Sequence, residues 1–367
     1  MLRLGALALV GVAALAVVIS YDAPCGAPPP AATGDTMQAV MYRCYGPPEV
    51  LALETVARPL PGPDQVQVRV HAASVNPLDH HFLRGRPYVI RLSAGIGRPS
   101  SAAMGTDFAG TVTAVGAKVT RFKPGDAVFG AADGAFGEYL VRGAEGAIAA
   151  IPPGLSFEQA AAMPVAAVTA LQALRDHARV RAGQKVLING ASGGVGTFAV
   201  QIAKSMGAEV TGVCSTRNVD LVRSLGADQV IDYTQQDFTS GTEHYDVIID
   251  MVGNHPISRL VAVMPEDGVY VKVGAVEKSD WLQPFDTIAA VSWASLWHPQ
   301  RFETLFASLP AADLEALAGM ASAGQLVSAI DRRFTLAETA DAMRYLETGR
   351  ARGKVIIEVL DPAQAAQ

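Results

Sequence analysis

Between residues 189 and 196 the chain reads Asn-Gly-Ala-Ser-Gly-Gly-Val-Gly, four glycines in eight positions. The stretch lies between a short apolar strand, Lys185 to Asn189, and a segment with helical periodicity, Thr197 to Met206. Few folds accept that pattern. Glycine is required where the backbone turns sharply, approaches a pyrophosphate closely, or lets a helix pack on the preceding strand. The helix that follows offers unpaired N–H groups and the positive end of its dipole to an anion. A strand before, a helix after and a second strand at the right distance make this a dinucleotide turn. The contact residues it predicts are Gly190, Ser192, Gly193, Gly194, Val195 and Gly196.

The surroundings keep the same rhythm. Strands are predicted at Glu209 to Val213, Gln229 to Asp232, Asp246 to Met251 and Val269 to Val273, with helices at Val219 to Leu225 and Ile257 to Met264. Strands alternating with helices of this length imply a parallel, doubly wound α/β sheet. Residues 37–163 read differently, as short β segments (Gln38 to Tyr42, Val66 to Val70, Phe108 to Val115, Asp126 to Phe129) broken by Gly and Pro. The tail returns to strand at Val327 to Phe334, helix at Leu336 to Leu346 and strand at Lys354 to Val359, after a helical stretch around Asp313 to Ala323.

The choice of dinucleotide turns on the end of the second strand. An NAD site usually places Asp or Glu there to bind ribose hydroxyls. This chain has Cys214-Ser215-Thr216-Arg217. Two hydroxyls and a guanidinium suit a 2′-phosphate, which Arg grips in bidentate fashion and a carboxylate would repel. NADPH is the expected cofactor, with Ser215, Thr216 and Arg217 as contacts.

These features join Met37-Gln-Ala-Val-Met-Tyr42, Tyr45-Gly-Pro-Pro-Glu-Val-Leu51, Ala73-Ser-Val-Asn76-Pro-Leu-Asp79, Gly105-Thr-Asp107-Phe-Ala-Gly110, Phe122-Lys-Pro-Gly-Asp126 and Ala351-Arg-Gly-Lys354. Together they resemble the medium-chain dehydrogenase/reductase superfamily, in its zinc-independent quinone oxidoreductase branch. The resemblance implies a GroES-like β-rich catalytic domain at 37–163, a Rossmann domain at 164–324, and a return to the catalytic domain at 325–367. It also implies an active site between the two domains and further cofactor contacts at Thr169, Tyr233, Gly274 and Lys354. Homodimers are implied too, often through the edge strand of the Rossmann sheet.

Zinc-dependent relatives carry a Cys where this chain has Asn76, and Gly-His-Glu where it has Gly105-Thr106-Asp107. Zinc needs sulfur or imidazole ligands in near-tetrahedral array, so a metal-free site is expected. The adjacent His80 and His81 diverge on either a helix or a strand and read as surface or pocket-edge residues. Without a Lewis acid, a preorganised donor must stabilise the developing oxyanion. Asn76 is the first candidate, through its amide; the alternative is a turn held by the Asn before Pro77. Asp79 either positions a proton-delivering water or caps a helix, and capping is the expectation. Activated acceptors follow: quinones, enals and enones. An alcohol or aldehyde oxidoreductase, and an NADPH-binding redox sensor without turnover, are the competing readings.

Leu4 to Tyr21 is eighteen residues without a formal charge, about 27 Å as a helix against a hydrocarbon core of roughly 30 Å. Residues 1–21 are expected to be an uncleaved membrane anchor, the alternative being a cleaved signal peptide after Arg3. Residues 22–36, with Pro28-Pro29-Pro30, read as a stiff linker. Arg3 before the run and Asp22 after it favour export of the catalytic domain, whereas NADPH favours the cytosol, and the cytosol is the expectation. Cys25, Cys44 and Cys214 lie far apart with no CxxC pair, arguing against a disulfide framework. Net charge is −6 with no basic cluster, so no nucleic-acid surface is expected. Trp293 and Trp297, four apart with Phe285 upstream, would share a helix face, with core or interface packing expected over a substrate lid.

Overall fold

The β segments sort into two main sheets because two kinds of strand are present. The computed structural model describes residues 15–274, 280–281 and 285–360. Strands in chain order are β1 (Thr36–Met41), β2 (Ala52–Ala57), β3 (Gln65–Val75), β4 (Asp107–Val115), β5 (Ala127–Ala131), β6 (Tyr139–Gly143), β7 (Ile148–Ala150) and β8 (Lys185–Asn189). They continue with β9 (Glu209–Cys214), β10 (Gln229–Asp232), β11 (Val247–Asp250), β12 (Val269–Lys272), β13 (Arg301–Thr304), β14 (Ile330–Thr335) and β15 (Lys354–Glu358).

Strands β8 to β13 are short, and β8 and β11 are buried along almost their whole length. Such strands must be covered on both faces, and they form a parallel sheet in the order β10-β9-β8-β11-β12-β13. The order reverses between β8 and β11. In an open α/β sheet the crevice at such a reversal, beyond the carboxyl ends of the strands, is where ligands bind. Four helices matter below: α1 (Pro77–Arg84), α2 (Pro164–Gln172), α3 (Gly194–Ser205) and α4 (Phe285–Trp297).

The second sheet runs β14-β15-β3-β4-β5-β7, with β6 also paired to β3. Eleven-residue β3 is its spine: one edge takes β15 and β6 in succession, the other takes β4. The last strands of the chain thereby complete a sheet begun near residue 65. Gly353 links the two sheets, donating its N–H to the Ser192 carbonyl at 2.9 Å and bridging Gly193.

Strand β13, at the edge of the parallel sheet, escaped the sequence analysis, while α4 is the helix on which Trp293 and Trp297 share a turn. Of the core or interface packing expected for Trp293 and Trp297, the core half is excluded: their rings meet tilted at 5.8 Å on α4 and are 65% and 68% exposed. The Phe285 side chain lies outside the described residues.

The cysteine reading is also overturned, because Cys25 and Cys44 form a disulfide. Nineteen residues of chain fold back to bring them together, a closure that spacing alone does not reveal. Residues 22–36 are accordingly not a free spacer. Ala23 N–H bonds Gly97 O, Ala32 N–H bonds Thr55 O, and Arg58 N–H bonds Asp35 O. Of the apolar run, residues 15–21 are described, helical over 15–20. Among the described residues no helix is long and apolar enough to cross a membrane.

Candidate active site

The glycine cradle after β8 is made of backbone. Strand β8 ends at Asn189, and the chain turns through Gly190 at φ +92°, a conformation L side chains resist. Gly196 sits where a Cβ would lie 2.1 Å from the Gly190 carbonyl oxygen, so α3 can pack on the turn only with glycine there. The first N–H groups of α3 have no intrahelical acceptor and point out of the turn, while neither Gly193 nor Gly194 carries a side chain to cover them.

Buried hydrogen bonds hold this turn in place. Asn189 Nδ2 donates to Asp250 Oδ1 at 2.8 Å, the same oxygen accepts the N–H groups of Val252 and Gly253, and Tyr270 OH donates to Asp250 Oδ2 at 2.9 Å. Asp250 thus ties the turn after β8 to the turn after β11. Gly274 lies against the latter, where a Cβ would meet the Met251 carbonyl at 2.5 Å.

The other predicted contacts gather at the same end of the sheet. Ser192 Oγ accepts from Asn218 Nδ2 at 2.9 Å, and Ser215 Oγ accepts from the same amide at 3.3 Å. Thr216 follows β9 and donates to Asp232 at 2.6 Å. Exposed Arg217 donates to the Arg350 carbonyl at 2.8 Å, and Tyr233, 62% exposed, follows β10. Thr169 is buried in α2, its hydroxyl bonded to Val165 O. Asp232 was not anticipated: the carboxylate missing from the end of β9 stands beside it on β10, saturated by Thr216, Thr234 and Gln235.

Beneath the cradle is a second, wholly buried cluster. Lys354 Nζ donates to Asn76 Oδ1 at 2.5 Å and lies 3.5 Å from Asp107 Oδ2. That oxygen also accepts from Asn76 Nδ2 at 2.9 Å and Ser74 Oγ at 3.0 Å, while Asp107 Oδ1 accepts the Val165 N–H. Burial pushes the Asp107 carboxyl up and the Lys354 ammonium down, and their mutual attraction opposes both shifts. The Lys354 stem passes 3.3 Å from where a Gly194 Cβ would be, so the cluster touches the cradle.

This cluster corrects the expected role of Asn76. Its amide hydrogens go to Asp107 Oδ2 and, at 3.3 Å, to Ser74 O, and its oxygen takes the lysine. The amide is held by the protein rather than presented to a substrate. Asp79 caps α1: Oδ2 accepts the Asn76 N–H at 2.7 Å and Oδ1 accepts the Thr106 hydroxyl at 2.8 Å. Burial, reinforced by the Asp107 charge, lifts its pKa to about 7. Burial also keeps the Tyr42 hydroxyl protonated, aided by Tyr45, Asp133 and Asp79.

The donor set at the zinc-ligand positions of the metal-dependent relatives does not suit zinc. It offers an amide, a hydroxyl and a carboxylate already bound by lysine, amide, hydroxyl and backbone N–H. His80 meets Glu347, and His81 Nδ1 lies 3.0 Å from Arg86 O. Sequence reasoning singled out neither Asp107 nor Ser74 as site residues. The available signal was Asp107's place in the Gly105-Thr106-Asp107 match; nothing nearby in sequence announces Lys354 as its partner.

Residues 62–173 match the family model of the alcohol dehydrogenase GroES-like domain, and residues 225–357 match that of the zinc-binding dehydrogenase. A trans-enoyl reductase of Aspergillus terreus is 36% identical over 81% of this chain and 87% of its own. A chloroplastic quinone-oxidoreductase homolog of Spinacia oleracea is 34% identical over 88% of this chain and 98% of its own. The solved quinone oxidoreductase of Coxiella burnetii superposes with a TM-score of 0.78 at 31% identity, covering 89% of this chain and all of that one.

Proposed function

The chain belongs to the medium-chain dehydrogenase/reductase superfamily, in its quinone oxidoreductase-like branch, and we propose that it is an NADPH-dependent reductase of quinones or α,β-unsaturated carbonyls that works without a metal. The observation that carries this reading is the contact between the glycine cradle and the buried Lys354–Asn76–Asp107 cluster. Bound NADPH would supply hydride. Gly190 to Gly196 would hold its pyrophosphate, and Arg217 with Ser215 and Thr216 would receive the 2′-phosphate. The relatives' names, a quinone oxidoreductase and an enoyl reductase, supply the acceptor class.

The role of Asn76 is positioning. Its amide joins Lys354 to Asp107 directly below the turn and fixes the entry to α1. Asp79 holds that entry from the other side and serves as a cap. The proton that accompanies hydride comes from water, which suffices for acceptors whose reduced forms are stabilised by conjugation. An unactivated alcohol would need its alkoxide formed first, and the donor set offers no Lewis acid for that step.

Exposed Trp293, Leu296 and Trp297 flank edge strand β13, and we place a homodimer contact there. NADPH oxidation followed at 340 nm against quinones, enals and simple aldehydes tests the whole reading, with NADH and a chelator as controls. Chelator-insensitive turnover of quinone or enal with NADPH is expected. NADPH binding with silence across the panel would sink the reductase and favour the redox sensor.

A further inference from the structure

Arg91 decides what the N-terminal segment is to this molecule. Its side chain is completely buried. Nε donates to Gly85 O at 2.8 Å, Nη1 to Ile19 O at 3.0 Å and Tyr21 O at 3.1 Å, and Nη2 to the Asp22 carboxylate at 2.6 Å. The guanidinium lies 4.4 Å from the centre of the Tyr45 ring and 4.8 Å from that of Tyr88. A buried charge is tolerated only with its partners in place, and three of these four acceptors belong to residues 19–22. Ala23 N–H bonds Gly97 O at 2.9 Å, and the Cys25–Cys44 disulfide closes the strap two residues later. Removal of residues 1–22 as a signal would strip this guanidinium of three of its four acceptors and uncover the site they close. From Ile19 onward the segment is part of the folded domain.

Its other side faces out. Leu15, Val17, Val18 and Tyr21, with Leu92 and Ile96 on the segment that grips them, are each between 50% and 69% exposed. The Tyr21 ring lies 3.4 Å from where a Gly97 Cβ would be, next to Ile96. Gly85, which accepts from Arg91, ends α1, and the eight residues of α1 span about 12 Å from Asn76. Tyr88 N–H bonds Asp280 O at 2.8 Å and its ring meets Trp281 at 4.5 Å, which ties this segment to residues that follow β12 of the parallel sheet.

We propose that residues 15–21, Leu92 and Ile96 form a lipid-docking rim that seats this face of the molecule on a phospholipid bilayer, and that the substrate is a lipophilic quinone drawn from that bilayer. The second half rests on the reductase reading; the first does not. A lipid surface is the occupant because the eighteen-residue uncharged run Leu4 to Tyr21 of the sequence has its described end, residues 15–21, in this patch. The tyrosine at its end suits the interface, and the first charge beyond it, Asp22, is already neutralised by Arg91.

The test uses the full chain in phosphatidylcholine vesicles. Mass analysis of the mature protein is expected to find residues 1–22 present; a mature N-terminus beyond Asp22 overturns the proposal. The Leu92→Ser/Ile96→Ser variant is expected to keep its kcat/KM for a short-chain, water-soluble quinone within about twofold. Its turnover of a long-tailed quinone dissolved in the bilayer is expected to fall about tenfold or more, since two apolar side chains no longer seat in lipid. Equal effects on both quinones overturn it. Silence of the parent toward both sinks the reductase reading, and docking is then decided by bromolipid quenching. Leu92→Trp fluorescence is expected to be quenched beyond the parent's. Leu60→Trp, an exposed site that precedes β3 in the chain whereas Leu92 follows it, is expected to match the parent. Equal quenching at both sites, or none at Leu92→Trp because a second copy of the chain covers the patch, overturns the docking.

Discussion

The cradle and the cluster beneath it are neighbours built on opposite principles. The cradle is eight consecutive residues whose value lies in side chains they lack: Gly190 adopts φ +92°, and Gly196 leaves room for a carbonyl 2.1 Å from its absent Cβ. The cluster is made of side chains from Ser74, Asn76, Asp107 and Lys354, brought together from β3, the cap of α1, β4 and β15. One leaves its backbone uncovered, the other is saturated within the protein. In the proposed function, ligand recognition therefore falls to the first, with the second contributing rigidity and electrostatics from below.

Five substitutions test that contrast. Gly196→Ala drives a methyl group into the Gly190 carbonyl and is expected to weaken NADPH binding on the order of a thousandfold, about 4 kcal/mol, by fluorescence titration. Near-normal affinity would mean the turn is more plastic than its geometry implies. Lys354→Met leaves Asp107 buried without its cation and is expected to cost about 3–5 kcal/mol of unfolding free energy in urea. The double variant Lys354→Met/Asp107→Asn should recover much of it; failure to recover would show that Lys354 acts on the cradle rather than through Asp107.

Arg217→Ala is expected to raise the NADPH dissociation constant about ten- to a hundredfold, as loss of a charged hydrogen bond does, and to leave NADH unchanged. A parallel loss with both cofactors would remove Arg217 from the 2′-phosphate site. Asp79 carries the smallest effect. Its folded pKa, raised to about 7, means the folded chain keeps a proton that the unfolded chain releases above about 4. Its contribution to stability is therefore full at low pH and declines as pH rises from about 4 to about 7. Asp79→Asn should flatten that part of the stability–pH curve; an unchanged slope would assign it to other groups.

The strands that could be read from the sequence were those with a local signature. Lys185–Asn189 and Gln229–Asp232 fall where apolar runs between turn residues put them. Strands β2, β6, β7 and β13 were not distinguishable, being short or only partly buried and held by partners far off in sequence. Asn76 could be picked out as important but not understood, because its role depends on Lys354, 278 residues away. The Trp293 and Trp297 stripe likewise marks a helix face without saying what covers it.

The sequence by itself determined that a glycine-rich turn stands between strand and helix, and that cysteine and histidine are missing from the zinc-ligand positions of metal-dependent relatives. Both are properties of neighbouring residues and of backbone allowed only to glycine. Tertiary structure alone decided that Asn76 is enclosed, that Asp79 titrates near neutrality, that Cys25 meets Cys44, and that Arg91 grips the segment before the linker. Those outcomes depend on burial and on partners set by the path of the chain. A side chain's hydrogen bonds and its charge in a low-dielectric interior are fixed by what surrounds it in space.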